Sequence, residues 1–76
     1  MPRYYFHLYD GVPAPDLEGT EFPDAYIAQA EAVRLSGEIM RDLGAKLWDG
    51  GKWRLEVADT DSKVLFIIRF SAEEHT

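Results

Sequence analysis

Two residues near the start of this 76-residue chain could carry proton chemistry, Pro2 and His7. An initiator methionine is usually removed when proline follows it, which would leave a secondary amine at the head of a strand. Such an amine can act as a general base if an apolar pocket and nearby cations keep it neutral. Arg3, Arg34, Arg41 and Arg54 could in principle supply the cation. Histidine is the side chain that ionises near neutrality, so His7 could serve as a base or a ligand. The plainer reading is a half-buried histidine hydrogen-bonded within the sheet. That reading, which also admits a hydrogen bond at an interface, is preferred because no partner at catalytic spacing accompanies His7. His75, next to the end, reads as a tail residue.

Other groups carry weaker signals. Asp10, Asp16, Glu18, Glu21 and Asp24 offer oxygen ligands for a hard cation. Their spacing matches no calcium loop, so they read as a solvated acidic segment with one helix cap, and neither metal nor cofactor is expected. Tyr5 and Tyr9 could stack on the bases of a single strand, but such platforms need a basic surround. With a net charge of -6, the chain disfavours nucleic-acid binding. Trp48 and Trp53 read as core or hairpin anchors.

Length and composition bound the rest. Seventy-six residues make one domain, spanning 1–76, with 71–76 expected to fray. A chain this short buries only about 60% of the surface that it exposes when unfolded. Without cysteine it has no disulfide to reinforce that core, so a second subunit is the support left. Its longest apolar run, Val64 to Ile68, is too short to cross a bilayer, and no apolar signal core follows the N-terminus. The expectation is a soluble, cytoplasmic protein.

These residues need elements to position them. Arg3 to Tyr9 reads as a strand with Tyr4, Phe6 and Leu8 facing the core and Tyr5, His7 and Tyr9 facing away. Asp10-Gly11 signals a turn, Pro13 and Pro15 keep the next loop open, and Gly19 to Phe22 could return as a short strand. Asp24 is a good N-cap and Gly44 a good stop for a helix between them. Ala25, Ala28, Ala32, Leu35, Ser36, Ile39 and Leu43 form one stripe of that helix. Tyr26, Ala30, Val33, Gly37 and Met40 form a second, more apolar than a single sheet requires. After the loop Asp49-Gly50-Gly51, residues 52 to 58 alternate with Trp53, Leu55 and Val57 inward. Asp59 to Ser62 is a hairpin turn by composition. In the last strand, Lys63 to Phe70, Val64, Phe66, Ile68 and Phe70 share one face, while Leu65 and Ile67 make the other apolar too. A strand apolar on both faces is either central or meets another molecule. The predicted fold is therefore α+β: an antiparallel sheet of three to four strands, β-(β)-α-β-β, with one amphipathic helix on one face.

The opening MPRYYFHLYDG, continuing into DLEGTEFPD, resembles a family of small bacterial proteins of unknown function. Its members begin M-P-R-Y-[FY]-F-H-L and carry an acidic D-x-E-G segment, an alanine-rich helix and a C-terminal hairpin. The resemblance implies an autonomous domain in bacterial cytoplasm and assigns no activity. Pro2 at the head of a strand is also similar to the tautomerase superfamily, where an N-terminal proline is the general base. Those enzymes pair the first strand in parallel with the strand after the helix, whereas antiparallel hairpins are expected here.

Together these features favour a non-enzymatic module that forms a homodimer or binds a protein partner. The contact would use the Tyr26/Val33/Met40 stripe or the sheet face holding Tyr5, His7, Tyr9, Leu65 and Ile67. The alternatives are a tautomerase-type enzyme using Pro2, or nucleic-acid binding through the open sheet face.

Overall fold

A computed structural model of the chain describes residues 2–10, 13–49 and 51–75. The proposed Asp10-Gly11 turn and the middle of the Asp49-Gly50-Gly51 loop lie partly outside the described residues, as do Met1 and Thr76. Strand β1 spans Arg3–Tyr9, β2 Pro13–Ala14 and β3 Thr20–Glu21. Helix α1 spans Ala25–Leu43 and runs into a 3₁₀ turn, Gly44–Trp48. Strands β4, Lys52–Ala58, and β5, Val64–Ser71, follow. All strand pairings are antiparallel and form one five-stranded sheet. Its order is β2-β1-β4-β5, with β3 also paired to β1. The fold is thus the α+β sheet-and-helix arrangement expected from the pattern.

Small residues determine how α1 meets the sheet. Ala28, Ala32 and Ser36 recur every fourth position, so they stack along one line of the helix. They retain 0%, 1% and 2% of their exposure. Without long side chains on that line, the helix backbone comes close to the strands. Beneath it lie Tyr4, Leu55 and Val57, with Phe6, Leu8, Phe22, Leu35, Phe66 and Ile68 packed around them. Phe22 seals the edge of this core against Phe6, ring edge to face at 5.9 Å.

Both helix ends follow from local chemistry. The Asp24 carboxylate accepts the Ile27 N–H at 3.0 Å, satisfying one of the donors that a helix start leaves open. At the other end Gly44 takes φ +52° and donates its N–H to the Met40 carbonyl. On the outer face, Arg34 pairs with Glu31 and Glu38. The hydrogen bond from Arg34 holds the Glu31 carboxyl below its ordinary range despite a small opposing effect of burial.

Four local expectations need correction. Pro13 does not keep the loop open: it opens β2, pairing with Tyr9 at the sheet margin, where a missing N–H does no harm. Trp48 is no core anchor but stands 54% exposed on the 3₁₀ turn, while Trp53 stacks on Phe70 with ring centroids 6.2 Å apart. Ser71 belongs to β5 rather than to a frayed tail, and among the described residues after it Ala72–His75 lack regular structure. The fourth concerns β5. Ala58 pairs with Val64 but Val57 pairs with Phe66, so the register slips by one residue. A bulge of this kind reverses the alternation on its far side. Val64 is therefore exposed, and Leu65 packs against the core cluster instead of standing on the open face.

The Ser36 hydroxyl is buried with no hydrogen-bond partner. Ser36→Ala removes that unsatisfied group and improves helix propensity. It should raise stability by about 0.5–1 kcal/mol, read from urea unfolding. Ala32→Leu on the same line should instead cost about 1–3 kcal/mol, because Ala32 is buried against the core and a larger side chain overpacks that contact.

Candidate interaction surfaces

One margin of β1 is built around Asp16. If β2 continued without interruption, Ala14 opposite Leu8 would place Glu18 opposite Tyr4; instead Thr20 occupies that position. Two extra residues must therefore loop out between β2 and β3, and the ladder beside the middle of β1 is lost. The Asp16 carboxylate replaces it. One oxygen accepts the Phe6 N–H at 3.2 Å, and the other accepts the N–H groups of Glu18 and Gly19 at 3.1 and 3.0 Å. Partial burial works to raise the Asp16 pKa. The donors from Gly19, Phe6 and Glu18 outweigh it, and the carboxyl titrates below its ordinary 3.8. The Asp16 N–H in turn donates to His7 Nδ1 at 3.0 Å. By accepting at Nδ1, the His7 ring is engaged as a structural partner of the Asp16 loop. Gly19 completes the loop at φ +73°, where a Cβ would come within 2.9 Å of Arg3 and Tyr5 side-chain atoms.

Away from the helix, the sheet presents ordered rows. His7 lies beside Glu56 and Ile67, and Tyr9 beside Arg54 and Arg69. Tyr5 and His7 stack with their ring planes 7° apart. Arg54 lies over the Tyr9 ring, 4.4 Å from its centroid, with its Nε 2.8 Å from a Glu56 oxygen. A cleft of about 480 Å³ opens at this end, lined in part by Tyr9, Lys52, Arg54 and Arg69.

A second cleft, of about 470 Å³, lies between α1 and β5. Tyr26, Ala30 and Val33 form its helical wall, Phe66, Ile67 and Ile68 its strand wall, and no charged residue lines it. Tyr26 and Val33 are 81% and 66% exposed, both on the stripe that the sequence left over. Met40 belongs to that stripe but lies outside the groove. Among the described residues β5 pairs only with β4, so its outer backbone groups form an open ladder. Sequence reasoning found the stripe and the two-faced strand but not their junction. The topology that puts β5 at the margin, directly beside Tyr26 and Val33, was the missing piece.

The residues weighed for chemistry are dispersed. Pro2 is exposed, and its carbonyl accepts the Phe22 N–H at 3.0 Å. Neither cleft is lined by Pro2 or His7. Of the arginines considered for Pro2, Arg3 reaches Glu18, Gly19 and Glu21, Arg34 pairs along the helix, and Arg54 sits beside Tyr9. Strand β1 runs antiparallel to β4. The acidic residues also have separate tasks: Asp16 binds backbone, Glu21 pairs with Arg3, and Asp24 caps α1. Among the described residues no group of three His, Asp or Glu side chains is placed to hold a metal ion, and no helix is long and apolar enough to cross a membrane.

Residues 3–71 match the family described as a domain of unknown function, DUF6894, and the chain belongs to it. No curated protein and no solved structure matches the chain. The D-x-E-G segment quoted above, Asp16 to Gly19, falls inside the matched range, and its structural work yields a prediction. Asp16→Asn places an amide donor against N–H groups and should cost about 1–3 kcal/mol at neutral pH. Because folding depresses the Asp16 pKa, the stability it supplies is complete above 3.8 and is lost as pH falls toward the folded value. Unfolding curves of the two proteins should therefore converge in acid. A constant gap at all pH values would contradict this role.

Proposed function

For this member of the family, we propose that the domain is a self-associating module whose working form is a homodimer built on the α1–β5 groove. The observation that carries the reading is the uncharged groove running along the margin strand β5, whose outer edge pairs with no other strand among the described residues. A free antiparallel edge is self-complementary: two copies of β5 related by a two-fold axis extend one sheet across both subunits. Tyr26 and Val33 of each subunit then close over Phe66 to Ile68 of the joined strands. Charge is compatible with this site, since a net charge of -6 makes the acidic surfaces of two copies repel, whereas no charged residue lines the groove. The 8-residue length of β5 supports it as well, because short or charged edges are the usual protection against pairing and the centre of β5 has neither.

Sedimentation or light scattering at about 100 μM should give twice the chain mass. Val33→Glu and Ile67→Lys, both at exposed positions, should yield monomers with unchanged circular dichroism. A wild-type protein that stays monomeric up to about 1 mM, or variants that still dimerise, would overturn the reading.

A further inference from the structure

The chain is acidic, yet three of its eight basic residues, Lys52, Arg54 and Arg69, line one cleft. Strand alternation puts them on the sheet face away from α1. Arg54 and Arg69 are direct cross-strand partners, and Lys52 lies two positions from Arg54 on the same face. Like charges placed directly opposite one another are destabilising unless something answers them. Glu56 answers part of the Arg54 charge, at 2.8 Å from its Nε. Neither Lys52 nor Arg69 forms an ion pair among the described residues. Tyr9 holds Arg54 in place through the ring contact at 4.4 Å, which makes one guanidinium rigid beside two free cations.

We infer that this cleft binds a small organic oxyanion, with a phosphate or carboxylate group between Lys52, Arg54 and Arg69. Guanidinium forks match both groups in geometry, and a volume of about 480 Å³ admits a metabolite-sized body beside the charged group. Trp53 and Phe70, stacked on one another, also line the cleft. The site opens on the sheet face and not in the α1–β5 groove, so it is independent of the proposed association.

NMR titration of the full chain with pyrophosphate, and separately with citrate, tests the assignment. Saturable shifts should appear at Tyr9, Lys52, Arg54 and Arg69, with a dissociation constant of about 1 mM or lower for at least one probe. Arg69→Gln should weaken binding about tenfold or more, whereas Arg34→Gln, at the exposed outer face of α1, should leave it unchanged. Stronger binding of pyrophosphate identifies a phosphoryl ligand, and stronger binding of citrate a carboxylate ligand. Non-saturating shifts spread over all the basic residues, or an Arg69→Gln protein with wild-type affinity, would overturn the proposal.

Discussion

The close approach of one helix to the sheet, along Ala28, Ala32 and Ser36, is the constraint on which the remaining architecture depends. Small side chains on that line bring the α1 backbone near the strands and exclude water from Leu55 and Val57. Close contact along a narrow line leaves the flank of the helix uncovered. Tyr26 and Val33 stand on that flank, and because β5 is the last strand of the sheet, no strand among the described residues lies beyond it. The groove follows directly from covering a sheet with a single alanine-lined helix.

The opposite margin of the sheet is finished in a different way. There the chain folds its own loop back, and the Asp16 carboxylate takes over donors that a continuous strand would have satisfied. The segment from Pro13 to Glu21 thus covers the β1 margin from within the subunit, while among the described residues β5 has no equivalent strand cover. His7 is bound into this closure through Nδ1. The ring of this histidine, flanked by tyrosines near a run of acids, thus helps to close the sheet margin. The asymmetry between the two margins is the physical basis for assigning association to β5.

Much of this was legible in the residues. Period-two alternation defined β1 and β4 to within their observed limits, and Asp24 and Gly44 marked the ends of α1 because capping is a local interaction. What escaped was non-local. Sequence could not reveal that Asp16 faces the Phe6 N–H ten residues earlier, or that the loop around it separates two halves of a margin strand. The inversion at Leu65 depends on a one-residue slip against β4, which composition does not encode. The cluster of Lys52, Arg54 and Arg69 was equally hidden, since only the pairing of β4 with β5 brings Arg69 opposite Arg54. A net charge of -6 averaged over the chain concealed a local excess of the opposite sign.

The central claim is that the groove between α1 and β5 is covered by a second copy of the chain. Sedimentation equilibrium on the wild-type protein beside Val33→Glu tests it most directly. The account predicts a dimer for the first and a folded monomer for the second at about 100 μM. A wild-type monomer at ten times that concentration, or a Val33→Glu dimer, would contradict it.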